Sequence, residues 1–230
     1  MSMVAIITAR GGSKRIPKKN IKDFCGKPII AYSIEAALGS GLFDEVMVST
    51  DSKEIADVAK AHGAVVPFMR SAKTSDDFSG TADVLFEVIT EYEKRGRYFD
   101  EMCCIYPTAP FVTSERLSEA YHSFKASGAD ILTPVVKFSY PPQRGFIMRD
   151  GLLEYNQPEY INSRSQDLEP IYHDVGQFYF YDTAKFEQAM TKGTQLRTAA
   201  FQMDEIEVQD IDNPSDWELA ELKYRMIHKK

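Results

Sequence analysis

The sequence is poor in the residues that build metal centres and disulfide scaffolds. Cysteine occurs three times, at 25, 103 and 104, an odd number without framework spacing. This reads as reduced thiols in a cytoplasmic protein, not as a disulfide scaffold. Cys103 and Cys104 lie in an apolar stretch and are expected to be buried as small hydrophobes. The four histidines (62, 122, 173 and 228) are scattered and make no zinc-binding spacing. No apolar run approaches the roughly eighteen residues a membrane span needs, and the first residues do not read as a charged-then-apolar leader. Positive charge is not in excess either. The formal net charge is -7, which argues against a nucleic-acid scaffold, since that needs a basic face. Internal repeats and low-complexity segments are also missing. The remaining picture, 230 residues with 43% hydrophobic and 27% charged content, is that of a soluble enzyme with one main core.

Against this acidic background the positive charge is concentrated near the start. Val4 to Ala9 is a short apolar run suited to a buried strand. Gly11 and Gly12 follow and let the backbone turn and approach a ligand. From Arg10 to Lys27 there are seven lysines and arginines and one acid, Asp23. A basic, glycine-containing loop leaving a buried strand suits a polyphosphate, because N–H groups can line it and fixed cations can neutralise it. A merely solvated basic loop is the alternative. The spacing fits neither Gly-x-x-x-x-Gly-Lys-Ser/Thr nor Gly-x-Gly-x-x-Gly.

Farther along, strands and helices alternate. Helices are expected over 28–39, 51–61, 81–95, 114–127, 186–190 and 213–228. Strands are expected over 43–50, 64–67, 102–106, 131–136, 175–181, 197–202 and 207–211. In the helices beginning at Pro28 and Asn213, inner faces are assigned to Ile29, Ile30, Ser33, Ile34, Ala37 and Leu38, and to Trp217, Leu219, Ala220, Leu222 and Met226. Alternation with buried β-branched strands predicts an α/β fold, a mostly parallel, three-layer sheet. Ligands of such sheets lie beyond the carboxyl ends of the strands. There the basic loop, Ser49-Thr50-Asp51, Pro107-Thr108 and Asp210-Ile211-Asp212 would share one rim. The alternation fails over 137–174, which is rich in proline and aromatics. The expected organisation is therefore a core of 1–136 and 175–230 with an inserted arm, 137–174, that packs on a second subunit.

Arg10-Gly-Gly-Ser13-Lys14-x-Ile-Pro17-x-Lys19-Asn20 resembles the signature of cytidylyltransferases that load CMP onto acidic nine-carbon sugars, the CMP-sialic acid synthetase family. The likeness continues at Val48-Ser-Thr-Asp51, Ser75-Asp76, Pro107-Thr-Ala-Pro110 and Asp210-Ile-Asp212. Phe24-Cys25-Gly26-Lys27-Pro28, Cys104-Ile-Tyr106, Arg164-Ser-Gln-Asp-Leu168 and His173-Asp174-x-Gly176-Gln177-Phe178 look most like pseudaminic acid cytidylyltransferases. The resemblance implies a Rossmann-like nucleotidyltransferase sheet with a small dimerisation arm. It also implies a cytoplasmic homodimer that uses CTP, a nonulosonic acid and Mg²⁺, and a role in glycosylating surface structures such as flagellin.

By that match Arg10, Gly11, Ser13, Lys14, Lys19 and Asn20 would hold CTP, Lys19 stabilising transition-state charge. Arg70, Ser75, Asp76 and Thr81 would form the base and ribose pocket; Ser75-Asp76-Asp77 reads equally well as a helix-capping cluster. Asp210 and Asp212, placed on one side of a strand by i, i+2 spacing, would share the cation, and Arg10, Lys19 and Asp212 would form the catalytic set. Tyr106, Thr108, Gln166, His173, Asp174 and Gln177 would face the acceptor sugar, with Arg164 and Asp167 beside them. His173 reads equally as a packed imidazole. Tyr106 stands where sialic acid synthetases have Gln, and an aromatic wall suits a sugar carrying a methyl and acylated amines better than one carrying hydroxyls. Pseudaminic acid is thus the expected acceptor. N-acetylneuraminic acid, legionaminic acid and Kdo are the alternatives, and a sugar-1-phosphate nucleotidyltransferase or a non-catalytic nucleotide-binding module are those of another class.

Overall fold

A computed structural model describes residues 2–76 and 78–228. In chain order the strands are β1 (Met3–Thr8), β2 (Asp23–Phe24), β3 (Lys27–Pro28), β4 (Glu45–Ser49), β5 (Glu101–Ile105), β6 (Ile131–Lys137), β7 (Phe146–Arg149), β8 (Leu152–Tyr155), β9 (Tyr172–Asp174), β10 (Phe178–Asp182) and β11 (Thr198–Gln202). The helices are α1 (Ile29–Ser40), α2 (Lys53–Ala61), α3 (Thr81–Glu93), α4 (Ser114–Ser127), α5 (Thr183–Lys192) and α6 (Pro214–Ile227).

The main sheet runs β11-β6-β10-β5-β1-β4, with β9 also on β6. β1 is parallel to both β4 and β5, and β11 is parallel to β6. β10 lies antiparallel between β5 and β6, and β9 is antiparallel to β6. Five of the seven strands therefore share one direction, the mostly parallel sheet expected from the alternation.

Alternate residues of the central strands face two layers of helices. Ala5, Ile7, Val48, Cys103 and Ile105 meet Ile30, Ile34, Ile55, Leu117 and Phe124 from α1, α2 and α4. Val4, Ile6, Met102 and Cys104 meet Leu85, Val88, Ile89 and Tyr92 of α3 and Phe186 of α5. Covering both faces explains why these strands read as continuous apolar runs. Ser33, a polar residue on the inner face of α1, is fully buried because its hydroxyl donates to the Tyr106 carbonyl at 2.7 Å.

A third cluster decides where the site lies. Phe24, Ile29, Tyr32, Phe111, Trp217 and Ala220 pack together with Ile16 from the basic loop and Ile211 from between the two aspartates. Phe24 meets Tyr32, Trp217 and Tyr224 edge-on at centroid distances of 5.5–5.6 Å, contacts worth about 0.5–1.5 kcal/mol each beyond their buried area. Asn213 caps α6 by accepting from Ser215 and Asp216, and the Asp216 carboxylate accepts in return from the Asn213 N–H.

Four expectations are corrected. Ala64–Pro67 is not a strand: Val65 makes a single bridge to Met47 between Gly63, at φ +94°, and Pro67. Residues 207–211 are not a strand either. A 3₁₀ turn, Glu205–Glu207, leads into irregular chain, because Val208 and Ile211 pack into different clusters instead of along one pleat. Leu38, near the end of α1, is 45% exposed, and Leu219, Leu222 and Met226 are 46, 56 and 62% exposed, since α6 uses only the narrow stripe Trp217, Ala220 and Tyr224. The helix expected over 186–190 is longer, starting at Thr183 with Asp182 as its cap.

Within 137–174, β7 and β8 form a separate hairpin around Asp150-Gly151, both with positive φ, the turn chemistry that matches strand twist. Phe146, Met148, Leu152 and Leu153 on it are exposed. No helix among the described residues is long and apolar enough to cross a membrane.

The thiols give a direct check on the core. Cys103 and Cys104 are fully buried, and burial pushes the Cys104 thiol up to about 12. Cys25 is partly exposed. Titration of the native protein with Ellman's reagent should release about one equivalent per chain, rising to three in denaturant; rapid reaction of two or three native thiols would contradict this packing.

Candidate active site

The basic loop takes its shape from local bonds. The Ala9 N–H donates to the Ser49 carbonyl at 2.9 Å and the Gly11 N–H to Asp51 Oδ1 at 2.7 Å. A Cβ on Gly11 would lie 3.1 Å from that of Ser52, so glycine is what lets the loop lie against the start of α2. The Ser13 hydroxyl donates to the Ile16 carbonyl at 2.6 Å, and Asn20, buried, donates from Nδ2 to the Arg10 carbonyl at 2.9 Å. Lys18, at φ 52°, turns the chain into the 3₁₀ turn Lys19–Ile21. Lys19 then reaches across the molecule: Nζ donates to the Ile211 carbonyl at 2.6 Å and stands 3.5 Å from Asp212 Oδ1. Arg15 pairs with Asp212 Oδ2 at 3.0 Å. Arg10, Ser13, Lys14, Lys19, Asn20, Thr108 and Asp212 line a cleft of about 410 Å³ here.

A second cleft, about 270 Å³, adjoins it through Thr8, Arg10 and Pro107 and is lined also by Arg70, Asp76, Thr81 and Tyr106. Arg70 is buried and donates to Ser49 Oγ at 3.1 Å and to its carbonyl at 2.6 Å. Burial pulls the guanidinium down to about 10, with Asp51 and Glu87 opposing. Arg10 Nη1 donates to the Asp76 carbonyl at 2.8 Å. The Asp76 carboxylate accepts from the N–H groups of Phe78 and Ser79, and the Ser75 hydroxyl donates to the Ser71 carbonyl. These two side chains thus bond within their own turn, and Ser75 does not line the cleft. Asp77 lies outside the described residues.

The third cleft is the largest, about 880 Å³, and shares Tyr106 with the second. The Tyr106 hydroxyl is 3.1 Å from Thr81 Oγ1, and its ring is tilted against Tyr179 at 5.6 Å. Burial raises the Tyr106 phenol above its ordinary range. Tyr179 donates at 2.7 Å to Asp174 Oδ1, which also accepts the Gly176 N–H at 2.7 Å. Gly176 is at φ +63°, and a Cβ there would touch the Tyr106 ring at 3.8 Å. His173 rests on Phe138, ring centroids 4.7 Å apart, while still lining the cleft. Three residues expected here lie elsewhere, the first being Thr108, which lines the first cleft. Gln177 is buried behind the wall, its Nε2 donating to the Glu207 carbonyl at 2.6 Å. Gln166 sits exposed on the turn Ser165–Asp167, outside the three clefts, where Arg164 pairs with Asp167 at 2.6 Å.

Asp210 lines the third cleft and Asp212 the first. Since the segment is not a strand, the i, i+2 argument does not bring them together; the burial of Ile211 does. Burial, then repulsion from Asp212, raises the Asp210 carboxyl, and Lys19 opposes this. No cluster of three or more His, Cys, Asp or Glu suited to a metal exists among the described residues. Two neighbouring carboxylates, Asp212 on the basic cleft and Asp210 on the cleft beside it, are nevertheless a donor set that suits Mg²⁺, which retains waters and takes further oxygens from a substrate. Thr8, Arg15, Lys137, Tyr179 and Lys223 also line the clefts. Arg15 carries the signal of the basic run, while nothing in the sequence context of the other four marks them.

The family model for cytidylyltransferases matches residues 4–191. This chain belongs to the cytidylyltransferase family. A pseudaminic acid cytidylyltransferase of Campylobacter jejuni is 41% identical over 230 residues, covering 100% of this chain and 99% of that protein. A CMP-N,N'-diacetyllegionaminic acid synthase of Legionella pneumophila is 34% identical, covering 96% and 95%. A CMP:2-keto-3-deoxy-manno-octonic acid synthetase solved with CTP has the same fold, with a TM-score of 0.70 at 19% identity and full coverage of both chains. As a cytidylyltransferase, the chain is a nucleotidyltransferase enzyme.

The anchoring of this cytidylyltransferase's basic loop is testable at Asp51. Asp51→Ala removes the charged acceptor of the Gly11 N–H, a bond of about 1.5–3 kcal/mol. The KM for the nucleotide should rise about tenfold or more with a smaller change in kcat; an unchanged KM would mean the loop is fixed without it.

Proposed function

We propose that this chain transfers CMP from CTP to the anomeric hydroxyl of pseudaminic acid, releasing pyrophosphate, and that it works with Mg²⁺ as a homodimer. The carrying observation is full-length similarity, at 41% identity, to an enzyme named for that sugar. The aromatic Tyr106 wall at the acceptor cleft agrees with it.

In this reading the triphosphate lies in the first cleft against Arg10, Ser13, Lys14 and Lys19, with Gly11 and Asn20 keeping the loop in shape. Cytosine and ribose occupy the second cleft beside Arg70, Asp76 and Thr81. The sugar occupies the third, against Tyr106, His173 and Asp174. The anomeric oxygen attacks the α-phosphorus in line, the bond to the bridging oxygen breaks, and pyrophosphate leaves. Lys19 and Arg10 neutralise charge that grows on the leaving group, from positions fixed before the reaction. The hydroxyl proton passes to the aspartate pair, of which Asp210 borders the acceptor. Asp210 and Asp212 would hold Mg²⁺, which when bound adds charge neutralisation and Lewis acidity at the phosphates. No covalent enzyme intermediate is required.

The dimer rests on the β7–β8 hairpin, whose register puts the exposed Phe146, Met148 and Leu153 on one face with Tyr155, an apolar surface of the kind that marks an interface. Sedimentation should give twice the 26.0 kDa chain mass, and Leu153→Asp with Met148→Asp should shift it to monomer. A monomeric parent would remove this part.

The main test is pyrophosphate release with CTP and Mg²⁺ on pseudaminic, legionaminic, N-acetylneuraminic acids and Kdo. Pseudaminic acid should lead in kcat/KM by about 100-fold or more. Lys19→Met should lower kcat by about 10²–10³. A lead by legionaminic acid would move the acceptor towards that of the Legionella relative. No turnover of any acid by folded, CTP-binding protein would overturn the reading.

A further inference from the structure

The segment carrying Asp210 and Asp212 lacks a strand neighbour, so its backbone must be held by other means. Its carbonyls are taken by side chains from three distant elements. Gln177 Nε2 donates to Glu207 at 2.6 Å and Lys19 Nζ to Ile211 at 2.6 Å. Lys223, in the second half of α6, donates from Nζ to the Val208 carbonyl at 2.7 Å and to that of Glu205 at 3.3 Å. Lys223 also lines the acceptor cleft together with Asp210. It lies beyond residues 4–191, the span matched to the family.

An ammonium at a cleft wall is costly to desolvate, and burial does lower the Lys223 amine's affinity for its proton, Glu205 opposing. An apolar side chain of similar length would fill the same space without that cost. The lysine contributes two donors to carbonyls two to five residues before Asp210. A charged donor to a backbone carbonyl is among the stronger hydrogen bonds in proteins.

We propose that Lys223 is a positioning residue: by holding the Glu205 and Val208 carbonyls it sets where Asp210 stands, and through Asp210 the affinity of the aspartate pair for its divalent cation. The proposal rests on the reading of that pair as the cation site. Outer partners that orient metal ligands typically matter by about 10–100-fold in metal affinity or activity when removed.

The test compares Lys223→Met, which keeps bulk and loses both donors, with Lys223→Arg, which keeps donor and charge. Mn²⁺ binding to the CTP complex is measured by electron paramagnetic resonance without acceptor, and the Mg²⁺ activation curve, kcat and KM for CTP are measured with it. Lys223→Met should weaken Mn²⁺ about tenfold or more, raise the Mg²⁺ midpoint in step and lower kcat, with KM for CTP within about twofold; Lys223→Arg should recover most of this. If Lys223→Met does not fold, Lys223→Leu, which also loses both donors, takes its place in the comparison. Parental Mn²⁺ affinity in the substituted protein would overturn the proposal, and so would a rise confined to the acceptor KM, which would mark Lys223 as a sugar contact. Failure of the underlying reading looks different: Asp210→Asn and Asp212→Asn would then leave Mn²⁺ binding unaltered in the parent background.

Discussion

Lys19 and Ile211 are 192 residues apart, and the bond between them joins the two halves of the site. Beneath that bond Ile16 and Ile211 are buried in one cluster with Phe24 and Trp217, so apolar burial holds the basic loop against the aspartate segment. Each such side chain is worth about 1.5–3 kcal/mol when buried. The ion pairs above them are weak by comparison. Arg15 and Asp212 are 66% and 42% exposed, and exposed pairs contribute about 0–1 kcal/mol. Core packing therefore fixes the geometry, and the exposed Arg15–Asp212 pair adds little to it.

The clefts are arranged around a common point. Thr8, Arg10 and Pro107 belong to the first and second, and Tyr106 to the second and third. Asp212 and Asp210 bring the first and third together again from the other side. A nucleotide bent through the first two would turn its α-phosphate towards the third, the approach that an in-line attack requires. The Thr81–Tyr106 contact, with Tyr179 holding Asp174 beside it, lies between the second and third clefts.

Much of this was readable from sequence where one physical demand acted alone. Val4–Ile7 and Met102–Ile105 are dictated by burial and the start of α6 at Asn213 by orphan N–H groups, and these lie where expected. The segment 207–211 misled because Val208 and Ile211 look like strand alternation while each answers to a different apolar cluster. Leu219, Leu222 and Met226 were assigned inward because helical spacing cannot tell how narrow a docking stripe is. Asp150-Gly151 carried its hairpin signal in plain view, but proline and aromatic density around it suggested only irregular chain. Gln177 was legible as polar and near the site, but not as a brace for the Glu207 carbonyl. Lys223 was not legible at all: a lysine on an amphipathic helix is ordinarily solvated, and only the fold brings its amine beneath the loop.

The most direct measurement is a crystal structure of the chain with CTP and Mg²⁺. The account predicts the triphosphate between Lys19 and the Asp210–Asp212 pair, with cytosine beside Arg70 and Thr81 and the α-phosphate turned towards Tyr106. Nucleotide bound elsewhere, for instance in the groove of Met69, Phe78 and Glu87 on the outer side of α3, would contradict it.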